Sequence, residues 1–303
     1  MINRCRHWLL LSAIFSFALG PISLAADETL FVSTPFTQPK LFTSGIEGPA
    51  CDAQGNVFAV SFGEAANIGR VTPEGKGELF VTLPDGGAGN GIRFDRKGLM
   101  YVADYVNHNI WKIDPKTREV EVVAHHDQMN QPNDLAIGPD DMLYASDPNW
   151  GKSTGQLWRI DRSGHVTLLD GEMGTTNGIE VSPDGKTLYV NESVQRNIWA
   201  FTITGDGLSN KRLLKNFPDF GFDGMRCDVD GNIYATRHGK GTVVKVSPSG
   251  EVLREIDVLG KHPTNICFGG PDGRTAYVTE AEQKRLVSFR VDRPGLAWHR
   301  HHD

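Results

Sequence analysis

The chain has 303 residues, of which 39% are hydrophobic and 22% are charged, which is typical of a globular protein with a substantial core. Its formal net charge is −6 and it carries no basic stripe, so nucleic acid is excluded as an expected partner. The abundance of glycine, 34 residues, favours a protein rich in turns.

Residues 1–25 have the pattern of a secretory signal peptide. Arg4 and Arg6 precede an apolar stretch over residues 8–19, and Ser23 and Ala25 are small residues before an expected cleavage site. This stretch of twelve residues is too short for a retained membrane span, which needs roughly 20. We therefore expect export, to a periplasm or out of the cell, with no membrane association after cleavage.

The rest of the chain contains a sixfold repeat in which one polar residue, here called the anchor, opens each copy. A turn residue follows every anchor by eight positions, and a second apolar run with an aromatic residue comes next. The anchors are 43, 43, 44, 46 and 42 residues apart: Glu47, Asn90, Asn133, Asn177, Asp223 and Asn265. A period of roughly 40 to 50 residues built from short strands indicates a β-propeller.

Each copy can be divided into the strands of one blade. In the fourth copy, "GIEVS", "KTLYVN" and "NIWAFTI" alternate as strands and "PDG" is a turn; fourth strands such as "GELFVTL" are weaker. The sixth copy lacks a fourth strand, which we expect "PKLFTSG" near residue 42 to supply. The prediction is an all-β single domain over residues 26–303: a six-bladed β-propeller with four-stranded antiparallel blades, closed by an N-terminal strand and without helices.

Three cysteines remain after signal cleavage, and all lie in first-strand runs: Cys51, Cys227 and Cys267. Their odd number means that they cannot all pair within the chain. We expect small buried side chains rather than a disulfide or a nucleophile.

The repeat places the six anchors in one inner ring around the propeller axis. Two carboxylates and four amides form a set of hard oxygen ligands, which suits Ca²⁺ better than Mg²⁺. Repeated polar residues can instead tie blades together, and "NG" and "DG" are common turns. A metal ring is favoured because each anchor precedes a strand with its own later turn, and because Glu47 is a poor turn residue in the same register.

The second strand of each blade returns to the anchor face, so residues at its end are expected to form an outer rim around the same pocket. We expect this rim to contact substrate, together with anchors that do not bind metal. The candidates in the rim are Asp104, Asp147, Trp150, Glu192, Arg237 and His238.

The motifs "GIEGPACDAQGNVF", "QPNDLAIGPDDMLYASDPNWG", "TTNGIEVSPDGKTLYV" and "DGMRCDVDGNIYAT" resemble those of the gluconolactonase, regucalcin and senescence-marker-protein family. The resemblance covers the chain from about residue 40. It implies a six-bladed propeller with a divalent metal in its central tunnel. The implied ligands are Glu47, Asn133, Asn177 and Asp223.

The same resemblance implies a lactonase that opens a sugar lactone such as gluconolactone, with Asp223 as the catalytic residue that activates or positions water. The cofactor is expected to be Ca²⁺, or another divalent cation such as Mg²⁺, Mn²⁺ or Zn²⁺. Asn90 and Asn265 are then expected to contact substrate or water. Many relatives have an arginine at or near the positions of Gln131 and Pro132, so the identity of the substrate stays open.

Two alternatives keep the fold but change the function. The same metal site could hydrolyse phosphorus esters, as in the related diisopropyl fluorophosphatase, or the chain could be a non-catalytic binding propeller of the NHL type. The unequal ring, with Glu in the first copy and Asp in the fifth, favours an enzyme. We expect a small-molecule lactone as partner and a monomer or a dimer.

Overall fold

The computed structural model describes residue 2, residues 29–205 and residues 207–302. The signal-peptide prediction therefore lies outside the described residues. Among the residues that are described, no helix is both long and apolar enough to cross a membrane.

The described strands form six four-stranded antiparallel sheets, which confirms the predicted propeller. The first three blades comprise β2(Ala50–Cys51), β3(Val57–Val60), β4(Asn67–Val71) and β5(Gly77–Thr82); β6(Gly89–Phe94), β7(Met100–Asp104), β8(Asn109–Ile113) and β9(Val120–His125); and β10(Leu135–Ile137), β11(Leu143–Asn149), β12(Thr154–Ile160) and β13(Val166–Met173).

Blades four to six continue the same order from the axis outwards. They comprise β14(Thr176–Val181), β15(Thr187–Glu192), β16(Asn197–Thr204) and β17(Gly207–Asn216); β18(Met225–Cys227), β19(Ile233–Arg237), β20(Thr242–Val246) and β21(Val252–Asp257); and β22(Pro263–Gly269), β23(Thr275–Glu280) and β24(Arg285–Arg290), with β1(Thr34–Pro35) as the outer strand.

The turn residue of every repeat adopts a positive φ, which explains its regular spacing. Five of the six are glycines, with φ between 69° and 83°, and Asp141 has φ 62°. A residue without a Cβ reaches this region at little cost, and aspartate is among the few others that tolerate it. The turns therefore fix the length of the first strand, and with it the register that brings all six anchors to the same end.

The hydrophobic core lies between neighbouring blades rather than inside any one of them. One cluster joins Phe58 and Ile68 of the first blade to Ile92 and Trp111 of the second. Similar clusters occur at the other joints, so each blade buries one face against each neighbour. This stacking holds the inner strands around a narrow axial tunnel.

An N-terminal strand closes the last blade as predicted, but it is not the predicted segment. Thr34 and Pro35 pair with Ser288 and Val287 of β24, whereas the stretch around residue 42 forms turns. The stretch cannot serve as an outer strand because it must lead from the outer edge of blade six to the axis, where Glu47 opens blade one. Its backbone still binds the blade, since Phe42 N donates to Lys284 O at 3.1 Å.

The prediction of no helix was wrong at the C-terminus, where α1(Leu296–His302) follows the last strand. Seven residues are too few to show a helical repeat in the sequence. The helix is held by Arg300, which donates to Ile137 O at 2.7 Å, and Leu296 is buried in a core cluster. It covers the end of the tunnel opposite the anchors, where Ala297 borders a small cavity together with Arg93 and Arg226.

Candidate metal centre and pocket

Five of the six anchors line one pocket on the axis, with a volume of about 220 Å³. The loops of neighbouring blades add Tyr105 and Trp150 as an aromatic side of the same pocket. Trp150 is 39% exposed, so it is available to a ligand. The anchors in the pocket are Glu47, Asn90, Asn133, Asn177 and Asp223.

Four of these anchors present a buried oxygen that has no hydrogen-bond partner among the described residues: Oε1 of Glu47 and Oδ1 of Asn90, Asn133 and Asn177. Buried oxygen atoms in folded proteins are nearly always paired, so such a group requires an explanation. The carboxylate and amide oxygens suit a hard divalent cation. Within the described residues there is no cluster of three or more His, Cys, Asp or Glu, because amides supply half of the implied ligand set.

The pKa values of the two carboxyl groups in the ring are shifted in the same direction. Burial and then the charge of Asp134 raise the pKa of Glu47 to about 7. Burial, followed by the charge of Glu47, raises the pKa of Asp223 well above its usual range. Two buried acids that repel each other must share protons or be neutralised by a cation, and a bound cation would displace those protons.

Hydrogen bonds fix the direction of two of these ligand groups. The amide nitrogen of Asn177 donates to Ser193 Oγ at 3.1 Å, and Ser193 Oγ donates to Phe222 O at 2.7 Å. The amide oxygen of Asn177 is thereby left as the unpaired atom. In the same way, Asn265 Nδ2 donates to Glu47 Oε2 at 2.9 Å, and Oε1 of Glu47 remains unpaired.

The structure places Asn265, the sixth anchor, below the ring rather than on the pocket wall. Its side chain is fully buried and also approaches Asp134 Oδ2 at 3.4 Å. Gly224 makes room for it, because a Cβ on that glycine would lie 1.9 Å from the Asn265 amide carbon. Asn265 therefore supports Glu47 and is not positioned to contact a substrate.

A buried charge cluster fills the tunnel beyond Asn265. Asp134 pairs with Arg226 at 2.8 Å and with Arg93 at 3.0 Å, and Glu180 lies 3.9 Å from Arg93. Burial alone would raise the pKa of Asp134, but Arg226 and Arg93 outweigh it and the pKa is lowered. Asp134 is therefore an anion in the folded protein, and it adds negative charge beneath the ring.

Sequence reasoning missed this cluster, although the repeat held a signal for it. Arg93, Glu180 and Arg226 each lie three residues after an anchor, where the other three copies have Ala or Phe. Asp134 directly follows an anchor, where four copies have Gly. Charged residues at repeat positions whose side chains point toward the propeller axis indicate a buried ion cluster.

The carboxylates at the ends of the second strands do not line the pocket. Asp104, Asp147 and Glu192 are buried and bind backbone amides of the loop that enters their own blade. Asp147, for example, accepts from Gln131 N at 2.6 Å and from Trp158 Nε1 at 2.9 Å. Only Trp150 among the expected rim residues lies on the pocket wall.

The two remaining rim candidates are also held elsewhere. Arg237 is fully buried, with its guanidinium 2.8 Å from Asp219 and stacked 4.3 Å from the centre of the Phe217 ring. Its charge is thus neutralised within its own blade. His238 stacks on His262 with ring centres 4.7 Å apart and is not part of the pocket lining.

Comparison with known proteins supports the propeller fold and identifies its family. Residues 47–282 match the family model described as SMP-30/gluconolactonase/LRE-like region. A gluconolactonase of Zymomonas mobilis is 29% identical over 84% of this chain and 81% of its own length. A 6-deoxy-6-sulfogluconolactonase of Pseudomonas putida is 30% identical over 47% of this chain, and the chain spans about half the length of that relative.

A solved structure of similar fold is the calcium-binding regucalcin of Agrobacterium tumefaciens, with a TM-score of 0.74 and 20% identity. The superposition covers 87% of this chain and 97% of regucalcin. At this level of identity the likeness concerns the fold alone. Since the family model spans most of the propeller, from the first anchor to the last blade, the chain belongs to the SMP-30/gluconolactonase/LRE-like family.

Proposed function

We propose that this protein is a metal-dependent lactonase that opens a sugar lactone such as gluconolactone. The observation that carries the proposal is one pocket lined by three unpaired buried amide oxygens and by the carboxyl groups of Glu47 and Asp223, whose pKa values are raised; Glu47 also presents an unpaired oxygen. The named lactonases among the relatives support the choice of reaction.

A divalent cation, Ca²⁺ in the first instance, would be held by Glu47, Asn133, Asn177 and Asp223. When bound, it would polarise the ester carbonyl and acidify water. Two carboxylates would balance its charge, and the amide oxygens would complete the ligand set without further negative charge. Asn90, whose amide oxygen is also unpaired, would contact substrate or water at the edge of the set.

The chain supplies three further elements of the reaction. Asp223 would take a proton from the attacking water as general base, and return it to the alkoxide that leaves when the ring opens. Trp150 and Tyr105 would pack against the apolar face of a sugar ring, which suits an aromatic pocket wall. Because the rim carboxylates Asp104, Asp147 and Glu192 are buried, we expect the exposed loops around the pocket to determine which lactone is bound.

The alternatives use the same fold without this chemistry. Two buried carboxyl groups that repel each other lower the stability of the fold, and a non-catalytic binding scaffold does not need them. The ring therefore favours an enzyme. Phosphorus-ester hydrolysis needs the same ring, and only a substrate panel separates it from lactone hydrolysis.

Export, expected from residues 1–25, is part of the proposal. The N-terminal sequence of the exported protein is expected to begin at Ala26.

The test is acid release from D-glucono-δ-lactone, corrected for spontaneous opening, with EGTA and with restored Ca²⁺. Asp223→Ala is expected to lower kcat by about 100-fold or more while the protein stays folded by circular dichroism. Asp127→Ala is the matched control, since that carboxylate is almost fully exposed and far from the axis in the fold. Undiminished hydrolysis by Asp223→Ala would refute the role of Asp223, and calcium-independent hydrolysis would refute the metal.

A further inference from the structure

Two of the three described cysteines face each other across the joint where the propeller ring closes. Cys51 lies in β2, the inner strand of blade one, and Cys267 lies in β22, the inner strand of blade six. Their sulfur atoms are 3.5 Å apart although 216 residues separate them in the chain. This is the contact distance of two unbonded sulfurs, about 1.5 Å longer than a disulfide bond.

The surroundings leave room for the sulfurs to approach each other. Gly269 stands opposite Cys51, and a Cβ at that position would come within 2.5 Å of the Cys51 sulfur. A small cavity of about 30 Å³ borders both of these cysteines, and Cys227 as well. The two sulfurs therefore lie beside a residue without a side chain and beside a small free space, and both features favour their approach.

The three described cysteines are free thiols in the structure, as the sequence predicts. Against that expectation, we propose that under oxidising conditions Cys51 and Cys267 form a disulfide that covalently joins the first and last blades. The hydrogen-bonded closure of the ring lies at the outer edge of blade six, where β1 pairs with β24 and the segment around it donates further backbone hydrogen bonds to the same blade. A bond between β2 and β22 would secure the same joint at its inner edge. A crosslink that closes a long loop restricts the unfolded chain strongly.

The reaction needs a disulfide oxidant, such as oxidised glutathione or a protein disulfide of an oxidising compartment. The two thiols lose two protons and two electrons, a sulfur–sulfur bond forms, and the oxidant's disulfide is reduced to two thiols. In the reduced protein, the hydrogen bond with Cys267 and then burial raise the pKa of the Cys51 thiol. Since the thiolate is the reactive form, we expect the disulfide to form while the chain folds and the thiols are still accessible. We expect it to resist reductants afterwards, because Cys267 is buried in the folded protein.

The third cysteine provides a control from within the repeat. Cys227 lies four residues after its anchor, as Cys51 does after Glu47. It packs in a core cluster with Ile233 and Leu296 instead of facing another cysteine. Oxidation is therefore expected to leave Cys227 as a thiol.

The experiment is tryptic mapping of the full chain, refolded with oxidised and reduced glutathione and then treated with iodoacetamide in denaturant, so that every remaining thiol is alkylated. The expected product joins the peptide of residues 41–70 to that of residues 262–274, two hydrogen masses below their sum, and it separates on reduction with dithiothreitol. Cys227, in the peptide of residues 227–237, is expected to be alkylated. A linked peptide that contains Cys227, or complete alkylation of Cys51 and Cys267, would overturn the proposal.

The second measurement is thermal unfolding of the oxidised protein with and without prior reduction under denaturing conditions. Reduction is expected to lower Tm by about 5 to 10 °C in the parent and in Cys227→Ala. In Cys51→Ala and Cys267→Ala the two curves are expected to coincide. A reductant effect that persists in either of these variants would show that the bond is not between these two residues. Lactone hydrolysis has no part in either readout.

Discussion

At the scale of single residues, the pocket depends on side chains that do not reach it. Asn177 can turn its oxygen to a cation only if its nitrogen has a partner elsewhere, and Ser193 Oγ is that partner at 3.1 Å. Ser193 is itself fixed by its bond to Phe222 O. An amide that is free to rotate would present its nitrogen to the cation for part of the time, and the nitrogen cannot act as a ligand.

We therefore expect Ser193→Ala to weaken calcium binding by about 10-fold or more, as is usual when a group that orients a ligand is lost. The measurement is titration calorimetry of the EGTA-treated protein with Ca²⁺. Ser163→Ala is the control, because Ser163 is exposed and bonds only within its own turn. Equal affinities for Ser193→Ala and the parent would show that Asn177 needs no such support.

At the scale of the elements, the ends of the second strands act as clamps on the loops that carry the anchors. Asp147, at the end of β11, binds the amides of Asn130 and Gln131, which lie just before Asn133. Asp104 binds the amide of Ala88, just before Asn90. The inner ring is thus positioned partly by a buried carboxylate from the neighbouring strand of the same blade.

Asp147→Ala removes the acceptor for two backbone amides and for the Trp158 indole, and it leaves these donors buried without partners. Each such donor costs about 1–3 kcal/mol, reduced wherever water enters the vacated space. We expect a loss of about 2–4 kcal/mol in the free energy of unfolding, measured with urea. Asp127→Ala is expected to unfold as the parent does, and a loss below 1 kcal/mol for Asp147→Ala would contradict the clamp.

The repeat allowed the blades and the anchors to be predicted because both follow from backbone periodicity. A turn residue of positive φ lies eight positions after each anchor and sets the register of the strands independently of the direction of the side chains. The direction of a rim carboxylate is not set by register, since the end of a strand borders both the pocket and the preceding loop. Asp104 and Asp147 turn to the loop, because its unpaired amides and a tryptophan N–H lie within reach.

The other differences have a similar origin. The closing strand lies about five residues before the predicted segment. "PKLFTSG" has the residue pattern of an outer strand, but this segment has to connect the outer edge of blade six to the axis and therefore forms turns. The ion cluster in the tunnel was not predicted, although Arg93 and Arg226 both lie three residues after an anchor. Side-chain pairing between blades three, two and five depends on the assembled ring and not on any one repeat.

At the scale of the whole molecule, charged side chains rather than apolar ones fill the tunnel between the ring of anchors and α1. Asp134 of blade three holds Arg93 of blade two and Arg226 of blade five, so one carboxylate joins three blades across the axis. Burial, and then the charge of Arg226, lower the pKa of Arg93, and the attraction of Asp134 opposes that change. The anion is therefore what permits two guanidinium groups to share the centre of the ring.

We expect Asp134→Asn to lower the free energy of unfolding by about 3–5 kcal/mol, since it leaves buried positive charge without its partner. Urea unfolding of the EGTA-treated protein measures this apart from any effect on a bound cation. Glu121→Gln, the same chemical change in an exposed pair with Lys112, is the control and is expected to leave the urea midpoint unchanged. If Asp134→Asn unfolded at the parent's urea concentration, Glu180 rather than Asp134 would have to be the group that neutralises the arginines, and Glu180→Gln would then show the loss instead.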